Sequence, residues 1–113
     1  MDERIEKWLF DIKLSIEEIE SFFPEEEFNF FDYKENTMLK RAVERNLEII
    51  GEAVNRILKR DDSFEEKIKD ARAIVGLRNQ VIHAYDSISD ENIWSILINH
   101  LPKLKAEVDL LLK

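Results

Sequence analysis

Apolar residues recur at intervals of three and four along most of this chain, the spacing that places them on one face of an α-helix. The first run predicts a helix over residues 2–22, which Pro24 ends. A second run predicts a helix from a cap at Asn36 or Thr37 to about Arg60. Its predicted buried ridge consists of Leu39, Val43, Leu47, Ile50, Val54 and Leu58.

The second half of the chain predicts two further long helices. A short helical piece over residues 64–68 leads into a third long helix, residues 69–85. That helix has apolar residues on nearly every side, which is typical of a helix that lies centrally or in an interface. Pro102 falls inside the last helix and should kink it. Three residues can cap this last helix: Ser87, Ser89 and Asp90.

Two interruptions of the pattern add to this picture. Residues 24–35 are predicted to be an acidic and aromatic loop, whose rings pack on the bundle or on a second subunit. Gly51 costs its helix about 1 kcal/mol relative to alanine, so we expect another helix to approach closely there. The fold class is therefore predicted to be all-α, an up-and-down bundle of four helices, or five with the short piece, in one domain of residues 1–113.

Composition narrows the class of protein. The chain has no cysteine, which excludes disulfides and thiolate metal sites and favours the cytoplasm. No apolar run approaches the roughly 18 residues that span a membrane. The net charge is −8, which argues against a simple nucleic-acid binder. Residues 1–35 carry 12 acidic and 4 basic side chains, so the excess lies there and the remaining residues are neutral overall.

The densest group of reactive side chains lies in residues 78–85, where Arg78, Asn79, His83 and Tyr85 stand close together. A histidine exchanges protons near neutral pH, and an arginine is a permanent cation suited to phosphate. On a helix, Arg78 and His83 are about 140° apart, whereas Asn79 and His83 share a face. A site that uses both Arg78 and His83 therefore fits a cleft, or the space between two copies of the helix.

The order of arginine, four residues, histidine, one residue and tyrosine resembles the HEPN superfamily, and within it the HepT-like toxins. The resemblance extends over about residues 40–95 and is specific in combination. Ser89 departs from it, since the family often has an aspartate there, but serine can still cap a helix. The other matching positions are Gly76-Leu77-Arg78-Asn79, Ile88, Ile93, Trp94, Arg41, Glu44 and Ile50-Gly51-Glu52-Ala53.

This resemblance implies a helical ribonuclease toxin of a type VII-like toxin–antitoxin system. Such proteins commonly form symmetric homodimers in which both motifs line one cleft. Their usual partner is a small nucleotidyltransferase antitoxin, which can attach AMP to the motif tyrosine, here Tyr85. The substrate would be RNA, with no membrane involved.

For ribonuclease action the nucleophile is the 2′-hydroxyl of the substrate, and His83 would be the general base. Arg78 would offset the charge that grows on the phosphorane. Asn79 would hold the imidazole or the phosphate, and Tyr85 would donate to the leaving oxygen or position the backbone. The expected products are a 2′,3′-cyclic phosphate and a 5′-hydroxyl, formed without a metal or cofactor.

Structural and non-catalytic interpretations stand beside this one. His83 can be a histidine hydrogen-bonded at a helix end, and Tyr85 can be a core ring with a surface hydroxyl. The chain can also be a non-catalytic helical module that docks a nucleotidyltransferase. No histidines have zinc-ligand spacing, and no glycine loop would hold a nucleotide. Arg78 can form an ion pair with one of three carboxylates: Glu44, Glu48 or Glu52.

Overall fold

The computed structural model describes residues 1–23, 29–83 and 89–113, and the side chains of residues 80–83 are outside this description. All regular structure in these ranges is helical, which confirms the all-α prediction. No helix among them is both long and apolar enough to cross a membrane. The helices are α1 (Glu3–Ser21), α2 (Phe30–Glu35), α3 (Thr37–Arg60), α4 (Phe64–Lys67), α5 (Ala71–His83), α6 (Asp90–Asn99) and α7 (Leu101–Leu111).

Helix α3 is the centre of the bundle, because α1, α2, α4 and α5 all pack against it, while α7 packs on α1 and α6. The predicted ridge of α3 is buried except for Leu39, which is half-buried. Ala53 and Ile57 of α3 are buried as well, so the apolar stripe is wide enough to receive helices from more than one side. The stripe meets a row of fully buried residues on α1: Leu9, Ile12, Ile16 and Ile19.

Side-chain caps and one proline set the helix boundaries. Asn36 Oδ1 accepts the backbone N–H of Leu39 at 3.0 Å at the start of α3, and Ser89 Oγ accepts that of Asn92 at 3.1 Å at the start of α6. The predicted kink at Pro102 is a full break, in which His100 separates α6 from α7 and Pro102 lies in the first turn of α7. Proline is tolerated there because first-turn N–H groups have no partner inside the helix.

The prediction of a loop over residues 24–35 is wrong for its second half. Residues 30–35 form α2, whose N-terminal cap is Asn29, with Oδ1 accepting the N–H of Asp32 at 3.2 Å. Tyr33 is fully buried, and its ring centroid lies 5.5 Å from that of Trp94. Six residues are too short for an apolar period to show, so only the capping residue signals this helix. Residues 24–28 lie outside the described residues.

Helix α5 covers most of the predicted third helix, and its predicted extension to residue 85 lies outside the described residues. The bundle's central position belongs to α3, so the expectation that α5 is central is wrong. Three of its apolar side chains, Ile74, Val75 and Leu77, are only half-buried in a single chain. The other predicted placement, in an interface, therefore stays a prediction that these half-covered side chains favour.

Candidate active site at the crossing of two helices

The backbone of α3 approaches α5 at Gly51, opposite Arg78. A Cβ added to Gly51 would overlap the Cβ of Arg78 and would lie 2.9 Å from its Cγ and 3.3 Å from the carbonyl oxygen of Ile74. Those distances leave no room for any side chain larger than hydrogen. The close helix approach predicted at Gly51 is thus confirmed, and it fixes where the stem of Arg78 leaves the α5 backbone.

Two neighbours hold the guanidinium of Arg78. Its Nη2 lies 2.5 Å from Glu52 Oε2, in an ion pair that lacks the alignment of a hydrogen bond. Its Nη1 donates to Asn79 Oδ1 at 3.1 Å. Of the three carboxylates that the sequence offered as partners of Arg78, the structure selects Glu52. Because the Arg78 side chain is still 25% exposed, it can be oriented by Glu52 and also meet a ligand.

Glu52 has a second arginine partner. Its other oxygen, Oε1, accepts a hydrogen bond from Arg56 Nε at 3.0 Å, one turn further along α3. One carboxylate therefore stands between two guanidinium groups, which leaves an excess of one positive charge in this cluster. Arg45 and Glu48, also on α3, form an ion pair at 3.6 Å.

Arg56, Glu52 and Arg78 line a cavity of about 240 Å³ between α1, α3 and α5. Trp8 and Asp11 of α1 form part of its wall. Arg78 Nε is buried and has no hydrogen-bond partner among the described residues. Because the side chain as a whole is 25% exposed, a ligand in the cavity would meet its exposed part rather than this nitrogen. The arrangement is suited to an anion with several acceptor oxygens, such as a phosphodiester.

The structure brings together only part of the predicted site. Arg78 and Asn79 lie side by side, with Asn79 oriented toward the arginine rather than left free. His83 is the last residue of α5, and its side chain lies outside the described residues, as does the whole of Tyr85. The roles predicted for His83 and Tyr85 stay predictions.

A larger cavity, of about 640 Å³, lies away from this cluster, between the end of α1 and the junction of α6 and α7. Its walls are mainly apolar, and the charged pair on its rim, Lys105 and Glu20, is satisfied by a contact of 2.9 Å. Of the predicted site residues, Arg78 and Asn79, whose side chains the structure describes, do not line it. Among the described residues, no group of three histidine, aspartate or glutamate side chains is placed to hold a metal ion.

The site predicted from the sequence does not include Arg56, Trp8 or Asp11. A signal for Arg56 was present, because Glu52 directly follows Gly51 and Arg56 lies one helical turn after Glu52. The close approach expected at Gly51 implied that side chains next to it would face α5. Nothing in the local sequence indicates that Trp8 and Asp11, some 40 residues earlier, line the same cavity.

Comparison with known proteins covers this site and most of the fold. A family model described as Ribonuclease HepT-like matches residues 12–111. The protein named "Putative RNase MJ1380" of Methanocaldococcus jannaschii is 36% identical over 108 residues, which cover 94% of each chain. "Probable ribonuclease HepT" of Thermococcus cleftensis is 33% identical over 106 residues, again 94% of each chain. No solved structure matches significantly.

Proposed function

Because the chain belongs to the ribonuclease HepT-like family, we propose that it is a metal-independent endoribonuclease acting on RNA. The observation that carries this proposal is the placement of Arg78. Its guanidinium is positioned by Glu52 and Asn79 at the wall of an open cavity, beside a second arginine, Arg56. This is the arrangement expected of an arginine that meets a phosphate, in a chain whose overall charge is acidic.

The proposed reaction is an intramolecular transesterification within the RNA. His83 removes the proton of the 2′-hydroxyl, whose oxygen attacks the adjacent phosphorus and expels the 5′-oxygen of the next nucleotide. A general base in this role contributes typically 10²- to 10⁴-fold in rate. Arg78 offsets the negative charge that grows on the non-bridging oxygens, while Tyr85 donates to the leaving oxygen. The products are a 2′,3′-cyclic phosphate and a 5′-hydroxyl.

We propose further that the active form is a homodimer. Each chain supplies one His83, so a dimer would add a second histidine to the cleft, beside Tyr85, as a donor to the leaving oxygen. The half-buried side chains of Ile74, Val75 and Leu77 on α5 support this proposal, because apolar surface left open beside a motif helix favours a protein partner.

A nucleotidyltransferase antitoxin is the proposed regulatory partner in a toxin–antitoxin pair. It would transfer AMP from ATP to the phenolic oxygen of Tyr85, with release of pyrophosphate. The new phosphodiester would add bulk and negative charge two residues from His83, where the substrate phosphate has to bind. Both effects oppose RNA binding.

The second candidate function is a non-catalytic module that docks the nucleotidyltransferase. It is favoured by the acidic excess of residues 1–35 and by two apolar side chains on or next to α2, Phe31 (69% exposed) and Met38 (80% exposed). Such side chains are typical of a protein–protein contact. In this alternative the Arg78 cluster would have only a structural role.

The deciding experiment is cleavage of single-stranded RNA by the purified chain in excess EDTA, beside His83→Ala and Arg78→Ala. We expect cyclic-phosphate ends from the parent and at least a hundredfold slower cleavage by either variant, with thermal unfolding showing that both are folded. Absence of cleavage by a folded parent, with mass spectrometry showing no AMP adduct, would favour the docking module instead. Variants that do not fold would support a structural role for the motif.

A further inference from the structure

Glu52 is the only carboxylate in the described part of the chain that contacts two arginines. Arg78 and Arg56 each lie on one of its two oxygens, at 2.5 and 3.0 Å. Arg45, Arg60 and Arg72 each have a carboxylate to themselves. Arg72, for example, holds Glu65 through two parallel hydrogen bonds of 3.0 and 3.1 Å, which neutralise the pair. The Arg56–Glu52–Arg78 cluster is different, because its second cation has no anion of its own.

The hydrogen-bond donors of this cluster are incompletely used. Arg56 contacts Glu52 through Nε, and neither of its Nη groups has a partner among the described residues. Its side chain is 56% exposed, so those groups remain hydrated and accessible to a ligand. Arg56 and Arg78 line the same cavity and are separated by a single carboxylate. An extended polyanion that reaches Arg78 therefore passes close to Arg56.

We propose that Arg56 binds the RNA phosphate next to the one at which cleavage occurs, and that Glu52 is a positioning residue that holds both guanidinium groups. This inference rests on the proposed ribonuclease function. Arg78 would meet the reacting phosphate, while Arg56 would anchor the neighbouring one through its free Nη groups. Arg56 then contributes to binding of the single strand before and during reaction, whereas Arg78 contributes in the transition state.

The test uses the full chain, a cleavable single-stranded RNA and its 2′-O-methyl form, which binds but cannot react. The variant is Arg56→Gln, and the matched control is Arg72→Gln. Both substitutions remove one positive charge. Arg72 is a suitable control because it is similarly exposed, at 67%, has Glu65 as its own partner and does not line the cavity. We expect Arg56→Gln to raise KM for the cleavable RNA about tenfold, with kcat within twofold of the parent. Its Kd for the 2′-O-methyl RNA should also rise about tenfold, and the slope of log Kd against log salt concentration should fall by about 0.7. The control should leave this slope unchanged.

Glu52→Gln separates positioning from simple structural support. Removing the carboxylate adds one net positive charge to the cluster, so the 2′-O-methyl RNA should bind more tightly. Because Arg78 is no longer held, kcat should fall at least tenfold. If Glu52 had only a structural role, the substitution would lower thermal stability but would not combine tighter RNA binding with a lower kcat.

The outcomes distinguish this inference from the function on which it rests. If the parent cleaves RNA and Arg56→Gln behaves like Arg72→Gln, the subsite is overturned and the ribonuclease stands. If the parent binds the 2′-O-methyl RNA with a slope that depends on Arg56, but cleaves nothing, Arg56 is an RNA-binding residue, whereas the ribonuclease and the placement of Arg56 beside a cleaved phosphate are overturned. A folded parent that neither binds nor cleaves RNA overturns both.

Discussion

Gly51 and Arg78 occupy the same point of contact between α3 and α5, and the arginine stem fills the space that a side chain at position 51 would need. A Cβ built on Gly51 would overlap the Arg78 Cβ and lie 2.9 Å from Cγ. The neighbour of Gly51 on α3, Glu52, then contacts the Arg78 guanidinium at 2.5 Å. The glycine that allows the helices to approach therefore also sets the distance over which Glu52 can hold Arg78.

The first prediction concerns this contact. Gly51→Ala should destabilise the fold by about 1–3 kcal/mol, because α5 has to move away from α3 to admit the methyl group. The same movement shifts Arg78 relative to Glu52, so RNA cleavage should fall even at temperatures where the variant is fully folded. Urea unfolding and cleavage rates measure the two effects.

The other glycine of the chain is the control. Gly76 lies in the same helix as Arg78, and a Cβ added to it would have no neighbour within 4 Å in the part of the chain that the structure describes. Gly76→Ala should therefore stabilise the protein by about 0.5–1 kcal/mol, the ordinary gain from replacing glycine inside a helix. Equal effects of the two substitutions would show that helix propensity, rather than the contact with Arg78, determines the effect of Gly51→Ala.

The sequence was sufficient to predict features that depend on local chemistry. Asn36 was one of two predicted caps for α3 and Ser89 one of three for α6, and the mid-helix Gly51 predicted a close approach, because each follows from one residue and its neighbours. Helix α2 was missed because it is too short to show a period. The break at Pro102 was predicted only as a kink, since sequence cannot tell how far a chain bends.

The candidate site was only partly predictable for a similar reason. Glu44, Glu48 and Glu52 are spaced one turn apart on α3 and are equivalent as sequence partners of Arg78. Only the crossing point of α3 and α5 makes Glu52 the neighbour of the arginine. The position of Trp8 in the same cavity depends on how α1 packs on α3, and the spacing of residues along the sequence does not reveal that packing.

The second prediction separates the charge of Arg78 from its shape. Arg78→Lys keeps one positive charge but has a single nitrogen, so it cannot contact Glu52 and Asn79 and also present donors to a phosphate. We expect kcat for RNA cleavage to fall about a hundredfold, the size typical of losing one preorganised donor to a developing charge. The salt dependence of binding to 2′-O-methyl RNA should stay unchanged. A lysine variant with near-parent kcat would mean that charge alone is sufficient at this position.

The third prediction concerns the hydroxyl of Tyr33. The residue is fully buried, and its oxygen has no hydrogen-bond partner among the described residues. Burial, together with the charges of Glu44 and Asp90, raises the pKa of this phenol far above its ordinary value, so it stays neutral. Tyr33→Phe should increase the free energy of unfolding by about 1 kcal/mol, because it removes a polar group that was buried without compensation.

Tyr33→Leu is the control for the ring itself. It also removes the hydroxyl, but in addition it loses the aromatic contact between the ring and Trp94. Such a ring pair contributes about 0.5–1.5 kcal/mol to stability. We expect this variant to be less stable than Tyr33→Phe in urea unfolding, with a similar dependence on denaturant concentration. Destabilisation by Tyr33→Phe would instead show that the hydroxyl has a hydrogen-bond partner in the protein.

The last prediction is a pH dependence of stability that arises from Glu44. Its partial burial, and then the charge of Asp90, raise the pKa of this carboxyl above its ordinary value of 4.5, while Lys40 and Arg41 oppose the shift. A raised pKa means that the folded protein prefers the protonated form. The stabilisation that comes from protonating Glu44 is therefore complete below about pH 4.5 and is lost as the pH rises through the raised pKa.

Glutamine resembles the protonated carboxyl at every pH. Glu44→Gln should therefore raise the thermal midpoint relative to the parent at pH 7 to 8, and the difference should vanish in acid. Glu65→Gln is the control of opposite sign, because the hydrogen bond from Arg72 lowers the pKa of Glu65. That variant should be less stable than the parent at neutral pH, and the loss should disappear as the pH falls below the ordinary carboxyl range. Thermal unfolding of the three proteins from pH 3 to 8 measures both trends. A destabilised Glu44→Gln at neutral pH would show that the attraction of Lys40 and Arg41 outweighs burial and the repulsion of Asp90.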